Sequence, residues 1–406
     1  MDQSYYSHGR KQIGFFSFLR DVLISKVPVF QKFTSRVLLP YSPDFIFLTH
    51  PRNSEDIFAT FPFIRLLRKF FPDNVARKIL KLSPCYIVAQ VKAPRGLRGY
   101  IVSAVELPND LFASRELTNK LILSCVDFFR AICNKKAYIG LAAWWPIVSN
   151  SGQAFKNCLQ KEDVIKITNG HTATLASIYL SICELTQKIN LPLSNAKILI
   201  IGAGKVGGGL GALLVNKVAV LGLIDKNKIR LKILKKELEI KNKEIAIDTI
   251  ALDEFTAEKT ILDKLQQYHL AVCTTSNTDL LISDASQLRN CIIIDDSRPE
   301  AFPRIFSPEF KVAVLEGGLM KIPGVVMDSD FGFGQNDNIF GCLSEAIILA
   351  MATEGKVKPN IGELDVENLM HLIDFCNQNK IQPGDFKCAQ RTIKDSDLAS
   401  LSSLEK

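Results

Sequence analysis

Short apolar runs alternate with helix-like stretches through the middle of the chain. The run in "NAKILIIG" is bounded by turn formers and predicts a buried parallel strand. A stretch compatible with helix follows through "LGALLVNK", and a second apolar run, "VAVLGLI", ends at Asp225. "EIAIDTIAL", "HLAVCTTS", "CIIIDDS" and "KVAVLEGGL" predict further strands, with "TAEKTILDKLQQY" as a helix between two of them. Strands alternating with helices predict an α/β fold: a Rossmann-type doubly wound parallel sheet. A separate α/β or α+β substrate domain is expected before it. The expected parts are a basic aromatic N-terminal region (1–90), a substrate domain (91–180), a dinucleotide-binding domain (181–335) and C-terminal helices with a polar, frayed tail (336–406). No internal repeat is visible.

The first predicted strand runs into Gly202-Ala203-Gly204-Lys205-Val206-Gly207, which matches G-x-G-x-x-G. In that pattern the first glycine permits a tight turn. The second lets the backbone approach a pyrophosphate, and the third lets helix and strand pack closely. Asp225 stands 23 residues after Gly202, where an acid would bind a ribose 2′-hydroxyl and favour NADH. Lys226, Lys228 and Arg230 follow at once and would suit a 2′-phosphate. The expected cofactor is therefore NADPH or NADH. Gly208, Gly209 and Gly211 weaken the following helix by ~1 kcal/mol each and point to close packing of its backbone.

Charge changes the picture at the N-terminus. Residues 1–100 hold 16 Lys/Arg against 6 Asp/Glu, an excess of 10 in a chain whose net charge is +8. Phe15, Phe18, Leu19, Val22, Leu23 and Lys26 lie at helical spacing, and Pro28 ends the pattern. A basic, aromatic, amphipathic helix has two readings: packing on its own domain, or contact with a membrane surface or acidic partner through residues 11–36. The basic residues form no nucleic-acid-reading motif. No run of 18 apolar residues and no secretion-signal layout occurs, so a cytoplasmic enzyme is expected, with membrane association as the alternative. The ten cysteines are scattered singly, without CxxC or metal-ligand spacing. This points to a reducing compartment and to no metal site.

Two further places could carry chemistry. "ITNGHTATLAS" ends the first domain and places Asn169, Gly170, His171 and Thr172 before a long helix. Cys342 lies near the start of the helix "IFGCLSEAIILAMA", with Asn336 or Asp337 as its expected cap. The partial positive charge of a helix N-terminus favours a thiolate over a thiol. Each place also has a bland reading, His171 as a polar group satisfied beside a turn and Cys342 as a small core residue.

The stretch "FGCLSEAIILAMATEG", preceded by "LEGGLMKIPGVVMDSDFGFGQNDN", resembles the C-terminal part of the cyanobacterial long-chain acyl-(acyl-carrier-protein) reductases, which form aldehydes. "ITNGHTATLASIYLSICE", "RGYIVSAVELPNDLFASRELTNKLILSCVDF" and "IIIDDSRPEAFPRI" resemble other segments of that family in the same order, from about residue 95 to about 385. The resemblance implies that Cys342 is a nucleophile attacking an acyl thioester, on acyl-carrier protein or acyl-CoA, and that nicotinamide hydride then releases the aldehyde. His171 is a candidate general acid in that chemistry. Trp144 and Trp145 stand where the family has smaller residues, so they either reshape an acyl channel or pack in the core. "HPRNSEDIFATFPFIRLL" has no counterpart and no assigned role. Two other readings compete: an oxidoreductase like shikimate dehydrogenase or glutamyl-tRNA reductase, and a non-catalytic dinucleotide-binding protein recruited to a carrier protein or membrane.

Overall fold

The structure is a computed structural model. It describes residues 12–26, 36–67, 69–70, 72–253, 257–276, 280–329, 338–389 and 391–401. The chain divides into two compact units, Met1–Ala173 with Ile322–Lys380 and Thr174–Lys321 with Ile381–Lys406.

The first unit opens with α1 (Phe15–Lys26), followed by β1 (Phe45–Thr49), β2 (Tyr86–Lys92), β3 (Arg98–Ser103), α2 (Arg115–Ile132), β4 (Ala137–Leu141) and β5 (Ile165–Thr168). Strands β3-β1-β4-β5 are mutually parallel, and β2 pairs antiparallel with β3. The four parallel strands are nearly continuous apolar runs because both sheet faces are covered. Ile46, Leu48, Ile139, Leu141 and Ile167 join one core with Phe128 and Phe129 of α2 and with Trp145 and Phe155.

The expected boundary at 90 falls inside β2. Side-chain packing explains why residues on its two sides are inseparable: Ile13, Phe18, Ile57, Phe58, Tyr86 and Val105 share one cluster. Helix α1 is pinned by the fully buried Asp21, whose Oδ2 accepts the Ile87 N–H at 2.9 Å. It thus packs on its own unit through Phe18 and Ile24, while Phe15, Phe16, Leu19 and Leu23 remain exposed. Residue 11 and residues 27–35, Pro28 among them, lie outside the described residues.

Helix α3 (His171–Lys188) begins at the end of the first unit and leads into the second. There β6 (Lys197–Ile201), α4 (Lys205–Leu214), β7 (Val220–Asp225), α5 (Lys228–Lys241), β8 (Ala246–Ala251), α6 (Ala257–Leu265), β9 (Leu270–Cys273), β10 (Cys291–Asp295), β11 (Phe306–Ser307) and β12 (Val312–Glu316) follow. The sheet order is β11-β12-β10-β9-β6-β7-β8, parallel except for β11. From β6 the chain winds first toward β8 and then back to β9 and beyond, which is the doubly wound Rossmann order with its switch point between β6 and β9.

The tail is not frayed where it is described. Ile393, Leu398 and Leu401 are buried in an otherwise polar stretch, and Lys188 pairs with Asp395 at 2.5 Å within the second unit.

After β12 the chain returns to the first unit, where α7 (Gly341–Met351) packs on β4 and β1. Gly140 of β4 makes room for it, since a Cβ there would lie 3.1 Å from the Cys342 carbonyl and 3.2 Å from Ala346 Cβ. The helix expected to stand with a C-terminal appendage is therefore built into the first sheet. Its N-cap residue is Phe340; Asn336 and Asp337 lie outside the described residues.

Candidate functional site

In the second unit the glycine loop leaves β6 at its C-terminal end, beside β9. Gly202 has φ +97°, and a Cβ there would lie 2.9 Å from Thr275 N. Gly207 opens the helix against the loop: its Cβ would sit 1.9 Å from the Gly202 carbonyl oxygen. Thr274 Oγ1 donates to that same oxygen at 2.9 Å. Gly204, in the N-cap position of α4, differs from both. A Cβ there would meet nothing within 4 Å. Packing within the chain requires glycine at 202 and 207 but not at 204, where the space left open lies at a helix N-terminus suited to an anion. That fits a pyrophosphate. Ala203, Lys205 and Val206 complete the loop, with Ala203 buried and the other two half-buried. Gly208 and Gly211 face Leu234 and Leu238 of α5, which accounts for two of the extra glycines as close helix packing.

Asp225 ends β7 beside this loop. Its Oδ2 accepts the Ala203 N–H at 2.7 Å and its Oδ1 the Asn227 N–H at 2.8 Å, with Arg230 Nη1 3.9 Å from Oδ2. The carboxylate therefore braces the loop. It retains acceptor capacity, because an ionised carboxylate has about four lone-pair sites.

In the first unit the structure brings Cys342 and the Asn169–His171 turn together across the sheet's edge. Gly170, at φ +76°, packs directly on Cys342: a Cβ at 170 would lie 2.5 Å from Cys342 Cβ. Only glycine fits there. His171 starts α3, and its backbone N–H donates to Asn169 Oδ1 at 3.0 Å. Both His171 and Cys342 are half-buried. Of the ten cysteines only Cys158, Cys183 and Cys342 are half-buried; burial pushes the Cys158 and Cys183 thiols above their ordinary value.

One residue at this place escaped the sequence reading. Glu345, one turn beyond Cys342, is completely buried. Its carboxylate accepts hydrogen bonds from the Thr168 hydroxyl and from Ala173 N at 2.8 Å, with Thr172 N and Gly170 N as further donors. Burial pushes its carboxyl up to about 6, against the lowering effect of these bonds. The Asn360 N–H donates to Thr168 Oγ1 at 3.0 Å, and the Asn169 N–H to the Asn360 carbonyl at 2.9 Å. The signal for Glu345 was a lone acid in the apolar stretch "CLSEAIILAMA".

The tryptophans divide. Trp145 is fully buried against Phe155, with Nε1 donating to the Thr49 carbonyl at 3.0 Å, and is core. Trp144 is half-buried and meets the exposed Phe112 edge-on, with ring centroids 5.4 Å apart. The unassigned "HPRN" segment supports it. Trp144 N donates to His50 Nε2 at 3.2 Å, leaving Nδ1 to donate to the Pro51 carbonyl at 2.9 Å. Burial lowers the His50 pKa, which favours the neutral ring that this pairing needs.

Fold and loop together define a two-unit protein whose second unit has the Rossmann-type doubly wound order, with a glycine loop at its switch point. No protein-family model matches the chain, and no curated protein matches it. Among solved structures it is similar to a dipicolinate synthase chain from Bacillus halodurans, at 12% identity and TM-score 0.28, over 44% of this chain and 56% of that one. It is similar to L-tryptophan dehydrogenase from Nostoc punctiforme, at 10% identity and TM-score 0.34, over 83% and 80%. Quinate dehydrogenase from Corynebacterium glutamicum, solved in complex with NAD, matches at 13% identity and TM-score 0.31, over 62% and 79%. The chain spans little more than half the length of the first. These likenesses concern fold alone. Among the described residues no helix is long and apolar enough to cross a membrane.

Proposed function

We propose that the chain is an NAD(P)H-dependent oxidoreductase, with Gly202, Gly204, Gly207 and Asp225 holding the dinucleotide. Within that class the reading we favour is an acyl-thioester reductase that releases an aldehyde through an acyl-enzyme on Cys342, with acyl-carrier protein or acyl-CoA delivering the acyl group. The observation that carries it is the half-buried Cys342 in the first turn of α7, seated against Gly170 and the start of α3.

In this reading the Cys342 thiolate attacks the thioester carbonyl, and the bond to the carrier sulfur breaks. The acyl group is now a thioester of the enzyme, and the carrier thiol leaves with a proton. A dinucleotide held by Gly202, Gly204, Gly207 and Asp225 would supply the hydride that reduces the acyl group. His171 is the group of this turn able to protonate the oxygen, and collapse of the hemithioacetal frees the aldehyde and regenerates the thiol. The packing of Gly170 on the Cα and Cβ of Cys342 fixes the base of that side chain, which limits the reorganisation attack needs.

Mass spectrometry after incubation with an acyl thioester, without and with NAD(P)H, tests the reading. An acyl adduct on Cys342 that disappears as aldehyde forms is expected. Cys342→Ser should form no adduct and bind NAD(P)H normally, because the glycine loop is untouched. Reduction of thioester by Cys342→Ser at the unsubstituted rate would remove the mechanism.

A further inference from the structure

Glu345 is costly to bury, and nothing in the acyl-transfer chemistry above uses it. An unpaired buried carboxylate is strongly unfavourable, so its partners show what holds it there. They come from one place. The Thr168 hydroxyl at the end of β5, the Gly170 N–H within the turn, and the Thr172 and Ala173 N–H groups of the first turn of α3 all converge on its two oxygens. Asn169 Oδ1 takes the remaining His171 N–H. The start of α3 is thereby occupied by this chain's own acceptors. Glu345 also stands one helical turn from Cys342 on α7, so a single side chain ties the helix bearing the thiol to the turn packed against Cys342.

We propose that Glu345 is a positioning residue: its carboxylate fastens the Asn169–His171 turn over Cys342, so that the thiol is held in place for acyl transfer and shielded from other reagents. The proposal rests on the acyl-thioester reading for the first of these effects and stands without it for the second. The geometric ground is contact. Gly170 lies on the Cα and Cβ of Cys342 with no room for even one added carbon, so a turn released from Glu345 changes access to the half-buried thiol.

The test uses the full-length chain and two reagents. Iodoacetamide measures access to each thiol, read peptide by peptide by mass spectrometry; an acyl thioester measures acyl transfer to Cys342. Three variants grade the clamp. Glu345→Ala removes both oxygens, Glu345→Gln keeps an acceptor for Thr168 but turns a donor toward an N–H, and Thr168→Val removes one bond and keeps the carboxylate.

In Glu345→Ala, alkylation of Cys342 should rise about tenfold or more, the scale of losing charge-assisted hydrogen bonds. Acylation should fall by a similar factor, with smaller effects of the same sign in Glu345→Gln and Thr168→Val. Cys158, half-buried in the same unit, is the control and should be alkylated at an unchanged rate. Opposite movement of the two Cys342 reactions with Cys158 unchanged separates release of this turn from general loosening of the unit. If alkylation of Cys342 is unchanged in all three variants, or if Cys158 rises with it, the clamp is refuted. If Glu345→Ala does not fold, Thr168→Val decides by the same criteria. Failure of the unsubstituted chain to acylate Cys342 would refute the reductase reading instead, and the alkylation result would still decide the clamp.

Discussion

Gly204→Ala separates a glycine kept for a ligand from one kept for the fold. The new Cβ meets no atom within 4 Å, and the backbone at φ −70°, ψ −161° is one that alanine adopts. Alanine is a poorer N-cap than glycine, but it also lowers the entropy of the unfolded chain. These effects oppose each other, leaving a net change within ~1 kcal/mol. The melting temperature should move by roughly 2–4 °C at most. Binding should respond differently. A methyl group pushed into the space a pyrophosphate needs costs ~1–3 kcal/mol as overpacking, or roughly 5- to 150-fold in Kd. Gly207→Ala is the contrast. Its Cβ would lie 1.9 Å from the Gly202 carbonyl oxygen and 2.8 Å from Thr274 Oγ1, so stability and binding should fall together. Thermal melts and fluorescence titrations with NADH and NADPH read both quantities. A Gly204→Ala protein that binds both nucleotides as tightly as the unsubstituted chain would refute the assignment of the loop.

Asp225→Ala should weaken NADH binding more than NADPH binding, since only the former loses a 2′-hydroxyl partner. Both affinities should fall somewhat, because the Ala203 N–H loses its acceptor; equal losses in titrations with the two nucleotides would mean that Asp225 only braces the loop. Asp21 predicts a pH dependence of the first unit: burial lifts its carboxyl from the ordinary 3.8 to about 6. Between those values the folded chain keeps a proton that the unfolded chain releases, so stability falls as pH rises through the window, by ~3 kcal/mol for a shift of this size. Urea unfolding from pH 4 to 7 should show Asp21→Asn lacking that part of the decline; identical slopes would refute the assignment.

The glycine loop was legible because its determinants are local. Three spaced glycines, helix and acid lie within 24 residues, Gly202 through Asp225, directly after an apolar run, and each constrains the backbone where it stands. The winding order of the Rossmann sheet follows from the same alternation of strands and helices. Cys342 and His171 could be singled out by residue type and by resemblance, but their neighbourhood could not. Gly170 and Cys342 are separated by 172 positions, and their contact depends on β4 and β5 pairing in parallel and on Gly140 admitting α7. Composition alone left Trp144 and Trp145 alike, whereas packing put one in the core and the other at its edge. The residues 1–90 read as a separate region because charge marks a stretch of chain. Packing joins them to the first sheet, since β2 finds its partner in β3 and α1 is tied to Ile87 through Asp21. Local sequence thus determined the elements and the loop that any backbone of this pattern must form. Tertiary structure alone decided which distant groups share a site, because burial and hydrogen bonding across the sheet are properties of the whole unit. Glu345 shows the difference: in sequence it is one acid in an apolar helix, and in the fold it meets the start of α3.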